Sequence, residues 1–492
     1  MKAVLGRAAR GLVLGSRLSA VGVLFLASSA SAQQITMRQA IDMALKQSHQ
    51  ATAATATLDA SRANARAFYA RRLPQLSLNA NAPIFTKDIQ AAPQPDGSLE
   101  FLPVQQTRAD AGLRIDQQLP WTGASFSVTS SLQRIDQTRQ SVLSRTWSGT
   151  PVSFQISQPI LRPNAQRWDG RIQHIDLDVA ERRFLEAREG VAVQATEAFF
   201  ELYLAERTLE NATINAATND TLFNLNKGRL EIGKIGENDL LQSELALLRA
   251  RAALDNAKLE YERRLAAFRL AVNMPRGTAV EVVIPTGVPD FEPDTTIAVT
   301  QALKNRAQVS ELELQSVQAK RQIANARLGG GPGATLIARV GYNQIPGDSL
   351  IYRDLLQSQG LSLALQVPVF NWGARGADVQ EARVNQKRVE ATNQQSREQL
   401  DMDARFAALQ LSQARRNLTV SAKADTVAAK RFEVAYNRYV IGRIGIDNLY
   451  IAQNEKDQAV TQYLQALRNY WLAYYRLRQT TLYDFEVGAP IR

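Results

Sequence analysis

Residues 229–240 read Arg229-Leu230-Glu231-Ile232-Gly233-Lys234-Ile235-Gly236-Glu237-Asn238-Asp239-Leu240, and residues 438–449 read Arg438-Tyr439-Val440-Ile441-Gly442-Arg443-Ile444-Gly445-Ile446-Asp447-Asn448-Leu449. Matching positions lie 209 residues apart, and each stretch separates two long segments rich in Ala, Leu, Gln and Arg. Glycine ends a helix because it adopts the left-handed conformation, and an Asn or Asp oxygen caps the helix that follows. The chain is therefore predicted to contain two helical hairpins with similar tips, at 233–236 and 442–445.

The segments beside the tips have the periodicity of very long helices. Apolar residues recur at three and four spacing from about Asn164 to Ile232, which at about 1.5 Å per residue is on the order of 100 Å of helix. The return helix, 238–272, carries one row at Leu240, Leu247, Leu254, Tyr261 and Phe268 and a second at Leu245, Ala252, Leu259 and Ala266. Both rows repeat every seven residues, so each helix is predicted to have two neighbours, as in a closed ring.

Alternating apolar residues predict strands upstream of the first long helix and again in the second half. Leu76, Leu78, Ala80, Ala82 and Ile84 lie two apart, which is the period of a strand with one apolar face. Further strand-like runs cover 109–119, 125–134, 152–160, 334–342 and 361–370, and a Pro/Gly/Gln-rich loop is predicted at 91–103. Helices are predicted at 35–73 and 296–328, and the 280–284 run is predicted to pair as a strand.

The two halves repeat one plan. Pro159 and Pro368 end the last strand of each half, and each precedes its tip glycine, Gly233 or Gly442, by 74 positions. The predicted divisions are a signal peptide at 1–32, a first repeat at 33–272 with strands at about 75–160, and a connector at 273–296. A second repeat follows at 297–482 with strands at about 334–370, and a C-terminal tail at 483–492.

Composition excludes several classes of function. Lys and Arg number 58 against 47 Asp and Glu, which leaves a mild net charge of +11 that is interspersed along the helices and does not favour nucleic-acid binding. The chain has no cysteine and only His49 and His174, so the usual zinc clusters and nucleophilic triads are not expected. The carboxylates are scattered without a convergent set, which argues against an enzyme. No metal or cofactor site is predicted.

The N-terminus predicts export. Basic residues precede an apolar run from Leu18 to Leu26, and Ala30-Ser31-Ala32 follows as a cleavage site. No later stretch reaches about 18 uninterrupted apolar residues, so no transmembrane helix is predicted. One-faced strands in an exported chain fit either a soluble sandwich or a membrane barrel. The few strands of one chain cannot close a wide barrel alone, whereas several copies of the chain could each contribute strands to one barrel. The two apolar rows on each long helix independently predict a closed ring of helices.

Five motifs then occur in a characteristic order. They are the Ile35–Leu45 helix, Leu73-Pro74-Gln75-Leu76 entering a strand, Gln158-Pro159-Ile160 and Val367-Pro368-Val369-Phe370-Asn371-Trp372-Gly373 leaving strands, and the two glycine tips. On this duplicated frame the chain resembles the TolC-type outer membrane efflux channel family along nearly all of its length after residue 32. The resemblance implies an α+β membrane protein: a homotrimer with a β-barrel in the cell outer membrane, usually four strands from each subunit, and a long α-helical barrel in the periplasm. The 109–134 hairpin exceeds that number, and its place inside or outside the barrel is left open.

The resemblance also implies function and sites. It implies a passive exit duct of a tripartite efflux or type I secretion system, in which a periplasmic adaptor protein joined to an inner membrane pump docks at the tips. The docking residues would be Gly233, Ile235, Gly236, Gly442, Ile444 and Gly445. Glycines allow close approach of a partner backbone, although they also fit a role in the turn alone.

The family closes its periplasmic end with polar and acidic residues after each tip. Asp239 matches that pattern, whereas the corresponding acidic positions of the second half fall on Asn448 and Ile451, with Asp447 as a substitute. These residues would form the periplasmic gate, or Asp239, Asp447 and Asn448 would only cap helices. An exported coiled-coil scaffold without channel activity is the alternative function, and the exported substrate (drug, metal, polysaccharide or protein) is not determined by the sequence.

Overall fold

A computed structural model describes residues 33–94, 97–139, 142–285, 287–289, 291–344, 347 and 354–491. The predicted signal peptide at 1–32 lies outside the described residues. The helices are α1 Met37–Gln47, α2 His49–Ala70, α3 Ala165–Glu231, α4 Glu237–Ala271, α5 Thr295–Asn305, α6 Ala307–Gly329, α7 Ala374–Val440 and α8 Ile446–Thr481. The strands are β1 Gln33–Thr36, β2 Gln75–Pro93, β3 Leu99–Leu119, β4 Ala124–Arg139, β5 Val142–Ile160, β6 Val280–Val283, β7 Gly333–Gln344, β8 Leu355–Gln366, β9 Tyr483–Asp484 and β10 Ala489–Pro490.

The long helices match the sequence prediction, whereas the two shorter predicted helices are each divided in two. Both α3 and α7 have 67 residues. The helix predicted at 35–73 breaks at Ser48, whose hydroxyl accepts a hydrogen bond from the Ala51 N–H and so starts α2. The helix predicted at 296–328 breaks at Arg306, where the Glu186 carboxylate of α3 accepts the Ala307 N–H at 2.9 Å. In both places a side chain satisfies a helix-terminal donor.

Six strands form one antiparallel sheet in the order β2-β3-β4-β5-β7-β8. The predicted 109–134 hairpin consists of the second half of β3, the turn after it and the first part of β4, and it lies inside this sheet between β2 and β5. The loop predicted at 91–103 is wrong, because β2 and β3 stay paired as far as Pro93 and Leu99. Backbone pairing outweighs the Pro- and Gln-rich composition here.

The two faces of the sheet differ in polarity. One transverse row, read from the register, is Leu76, Ile115, Val128, Phe154, Val340 and Gln359. The adjacent row, on the other face, is Ser77, Arg114, Thr129, Ser153, Gly341 and Ser358. Near the helices, the sheet therefore has one largely apolar and one largely polar face, because successive residues of a strand point to opposite faces.

The helices form a layer that continues from one end of the sheet. Near the sheet, α2 packs on α3, α3 on α6, and α6 on α7. Farther away, α4 packs on α3, α3 on α8, and α8 on α7. The main core lies between these levels, where aromatic residues such as Phe199, Phe268 and Tyr470 are buried with α1 and β6. The 280–284 strand prediction is confirmed, since β6 pairs in parallel with β1.

Four glutamates of α3 form ion pairs with arginines of other elements close to this core. The pairs are Glu186 with Arg306 at 2.9 Å, Glu189 with Arg478 at 3.2 Å, Glu197 with Arg468 at 2.7 Å, and Glu201 with Arg264. Glu189 is the most buried of them, with 10% of its side chain exposed. None of the helices in the described part of the chain has both the length and the apolar composition needed to cross a membrane.

Candidate functional site at the helical tips

Each tip begins with the same helix stop. The Gly233 N–H donates to the Leu230 carbonyl at 2.8 Å and the Lys234 N–H to the Arg229 carbonyl at 2.9 Å. The second tip repeats both bonds, from Gly442 and Arg443. This pattern is a Schellman motif, in which the residue after the C-cap must be left-handed. Gly233 has φ of 69° and Gly442 has φ of 74°, so the predicted role of the first glycine in each tip is confirmed.

The second glycine of each tip corrects the predicted N-caps. Gly236 and Gly445 are the N-cap residues of α4 and α8, and neither helix has a side-chain cap hydrogen bond. Asp239, Asp447 and Asn448 lie inside the first turn instead, so the interpretation of these residues as N-caps is wrong. The extended backbone at each glycine starts the helix earlier than the Asn/Asp pair. The carboxylates of Asp239 and Asp447 still stabilise the first turns of α4 and α8, because negative charge interacts favourably with the positive end of the helix dipole.

The tip glycines face open space. A Cβ atom built on Gly233, Gly236, Gly442 or Gly445 would meet no atom within 4 Å. Packing within the chain therefore does not require glycine at any of these four positions. Only Gly233 and Gly442 are required by backbone conformation.

The two tips pack side by side, although they are far apart in sequence. The Tyr439 hydroxyl of α7 donates to Asn226 Oδ1 of α3 at 2.6 Å. The Arg229 guanidinium lies 5.0 Å from the centre of the Tyr439 ring and donates to the Val440 carbonyl at 3.0 Å. Tyr439 is also buried with Leu222, Ile446 and Leu449. The hairpins thus form one double tip, with a cleft of about 630 Å³ between them.

The structure brings part of the predicted docking set together. Five predicted site residues line the cleft between the tips, namely Ile235, Asp239, Gly442, Ile444 and Gly445. Ile235 and Ile444 are only half-exposed. The most exposed apolar side chains at the tips are instead Ile232, 65% exposed, and Ile441, 63% exposed. These two were missed, although their matched positions just before the left-handed glycines would have identified them.

The predicted gate residues have unequal surroundings. Asp447 accepts a hydrogen bond of 2.6 Å from the Gln242 side chain of α4. Asp239 is half-exposed at the cleft, which Arg229 and Lys234 also line. Asn448 and Ile451 are exposed and do not line the cleft. The bond from Gln242 fixes the start of α8 to α4 within one chain.

A buried phenol lies behind the tip. Tyr450 packs against the Tyr439 cluster, and its hydroxyl is buried without a hydrogen-bond partner among the described residues. Burial raises the pKa of Tyr450 to about 12, so its hydroxyl is neutral near pH 7. No group of three or more His, Cys, Asp or Glu side chains in the described ranges is arranged to hold a metal ion.

Comparisons with known proteins agree with this architecture. Residues 102–274 match the model of the outer membrane efflux protein family. The CmeC outer membrane channel of Campylobacter jejuni is similar in structure, with 16% identity, a TM-score of 0.64, and coverage of 90% of this chain and 85% of that one. VceC, an outer membrane protein of Vibrio cholerae, has 14% identity, a TM-score of 0.64, and coverage of 93% and 97%. The MtrE outer membrane channel of Neisseria gonorrhoeae has 16% identity, a TM-score of 0.60, and coverage of 90% and 88%.

No curated protein sequence matches the chain. The structural likeness, at these identities, establishes the fold: a long helical layer joined to an antiparallel sheet, as in outer membrane channels. Together with the family match, it confirms the resemblance of this chain to the TolC-type outer membrane efflux channel family.

Proposed function

We propose that this protein is the outer membrane channel of a tripartite efflux or type I secretion system, acting as a passive exit duct. Three copies close a β-barrel in the cell outer membrane and a helical barrel in the periplasm, and a periplasmic adaptor binds the tips. The observation that carries the proposal is the two-faced sheet joined to a helical layer whose outer helices, α4 and α7, have no neighbour on their outer sides among the described residues. A soluble sandwich would cover the apolar face of such a sheet.

The helices at the two sides of the layer support the ring. In α4, the first predicted row is buried or half-buried, but the second row, with Leu245 and Leu259, is exposed. In α7, Val420, Val427 and Val434 form an exposed row with a spacing of seven residues. These rows lie on the two outer helices of the α4-α3-α8-α7 layer. Packing α4 of one copy against α7 of the next buries both rows.

The tips support docking. Ile232 and Ile441 expose apolar side chains beside glycines that leave open space, and the cleft between the tips is open to solvent. A helical hairpin of an adaptor protein could place its backbone against the glycines and an apolar side chain against each isoleucine. Asp239, Asp447, Asn448 and Ile451 then lie just beyond the contact, where adaptor binding opens the gate.

Docking is tested by Gly445→Phe in the host cell. The backbone at Gly445 has φ of −73°, and a Cβ there meets nothing within 4 Å. A side chain can therefore leave the backbone there without meeting the rest of the chain, and its ring occupies space at the cleft that a docked partner would need. We expect normal amounts of trimer in the outer membrane but the export defect of a deletion strain, measured as sensitivity to toxic dyes and detergents for an efflux system and as loss of the secreted protein for a secretion system.

Gly376→Phe is the matched control, since Gly376 also faces open space but lies at the opposite end of the molecule, in the first turn of α7. It should keep normal export. Normal export in Gly445→Phe, where the deletion strain loses it, would contradict docking at the tips, and a loss of trimer in that variant would show a structural role instead. The scaffold alternative is tested by extraction, because a scaffold would leave the membrane fraction without detergent.

A further inference from the structure

The β3–β4 hairpin is an integral part of the six-stranded sheet. Across β3 and β4, Ile115 and Val128 continue the apolar row between Leu76 and Phe154, and Arg114 and Thr129 continue the polar row on the other face. A hairpin that lay outside the wall of a membrane barrel would not need an apolar face aligned with the apolar faces of the neighbouring strands. Its residues therefore have the pattern of the strands on both sides of it.

The turn of this hairpin is also fixed to the helices. The Asn164 side chain, which caps α3, donates to the Pro120 carbonyl at 2.8 Å, and Gln117 donates to the Arg72 carbonyl at 2.7 Å. Gly123 has φ of 79°, and a Cβ there would lie 3.1 Å from the Asn164 Cγ atom. The hairpin thus reaches the junction between sheet and helices, as β5 does, and is held there by the N-cap residue of α3 and by Arg72, just after the end of α2.

The width of six strands matches the helical layer. With strands about 4.8 Å apart and tilted by roughly 40°, each strand occupies about 6.3 Å of barrel circumference, so six occupy about 38 Å. The four helices next to the sheet, at about 9 Å between axes, occupy about 36 Å. Four strands would occupy only about 25 Å by the same geometry. With the hairpin included, the sheet continues the helical layer without narrowing.

The edges of the sheet have no partner within the described chain. β2 and β8 are the first and last strands, and apolar side chains on them are largely exposed, among them Leu78 at 69% and Leu363 at 62%. An unpaired edge cannot remain in a membrane, because its backbone polar groups would be unsatisfied. β2 starts at the helical end and β8 ends there, so β8 of one copy can pair with β2 of the next in antiparallel fashion.

We propose that β3 and β4 form part of the membrane wall and that three copies close an eighteen-stranded barrel through β8 and β2 of neighbouring copies. The number of copies rests on the proposed function; the six strands from each copy come from the sheet. The resulting barrel has a backbone diameter of about 36 Å, against about 24 Å for twelve strands. The exit is then as wide as the helical tube, so cargo size is limited at the tips and not in the outer membrane.

The test uses spin labels on the full chain in liposomes. Because the protein has no cysteine, Leu113→Cys and Arg114→Cys each give one label, on opposite faces of β3. Phe154→Cys and Ser153→Cys are the matched controls in β5, since Phe154 and Leu113 each lie six residues before the end of their strand. We expect oxygen to relax the labels at 113 and 154, and an aqueous nickel complex to relax those at 114 and 153.

Aqueous accessibility at 113 with lipid accessibility at 154 would overturn the inference but leave the channel intact. Aqueous accessibility at both 113 and 154 would overturn the channel function as well. Electron cryomicroscopy of the detergent-extracted protein gives a second measurement. Eighteen strands and a diameter near 36 Å support the proposal, and a trimer with a twelve-stranded barrel contradicts it.

Discussion

Tyr439→Phe should loosen the double tip without changing the shape of its core. The substitution keeps the ring beside Arg229 and removes only the hydroxyl that donates to Asn226 at 2.6 Å. Asn226 is fully buried, and its Oδ1 atom would lose the hydroxyl that donates to it. Leaving a buried acceptor unpaired costs about 1–3 kcal/mol. If the tip opens as a local unit, amide exchange there should accelerate roughly 5- to 150-fold.

The assay is hydrogen exchange of the Gly442 and Arg443 amides, with amides near Phe199 in the main core as the internal reference. Tyr450→Phe is the matched control, because it removes a buried hydroxyl that has no partner in the described structure. It should leave tip exchange unchanged or slower. Unchanged exchange in Tyr439→Phe, or equal acceleration in both variants, would show that the bond to Asn226 does not hold the hairpins together.

Three further predictions concern stability, measured by thermal or chemical unfolding of the purified protein. Glu189→Ala should cost about 1.5–3 kcal/mol, because it removes the charge-assisted hydrogen bonds of Glu189 to the mostly buried Arg478, which keeps its ion pair with Asp484; Glu181→Ala, which removes an exposed pair on the same helix, should cost under about 1 kcal/mol, and equal losses would contradict the burial argument. Gly442→Ala should cost about 1 kcal/mol more than Gly445→Ala, because only the first glycine is left-handed; identical midpoints would refute this. Asn164→Ala should cost about 1–2 kcal/mol, since it loses the α3 cap and the bond to the β3–β4 turn, and no change would show that the turn is held by other contacts.

The helical part of the fold could be predicted from the sequence because its signals are long and repeated. Spacing of three and four residues extends over both 67-residue helices, and the left-handed glycines mark their ends. The break at Arg306 could not be predicted, since Glu186, the side chain that satisfies the α6 N-terminus, lies on α3. Such a partner, 121 positions away, is set by tertiary packing.

The extent of the strands was harder to predict than their existence. Residues 91–103 have the composition of a loop, yet Ile89 pairs with Pro103, and the pairing of β2 with β3 continues as far as Pro93 and Leu99. Strand propensity depends on the neighbouring strand more than on local composition. For the same reason, the sequence alone did not determine where the β3–β4 hairpin lies. The strand register places it within the sheet, between β2 and β5.

The tip residues were predicted in position but not fully in role. Glycine periodicity identified both stops, but the N-cap oxygen expected from Asp239 and Asp447 is absent because Gly236 and Gly445 start the helices. The Tyr439–Asn226 bond joins the two hairpins across 213 positions. No local pattern predicts a contact of that kind.

The channel function is tested most directly by electrical recording from the purified, detergent-extracted protein in a planar lipid bilayer. Insertion of a closed trimer should produce discrete conductance steps of reproducible size, and the species should dissociate to monomers only on heating in detergent. A protein that leaves the membrane without detergent and never inserts would contradict the exit duct and favour a scaffold on the membrane surface.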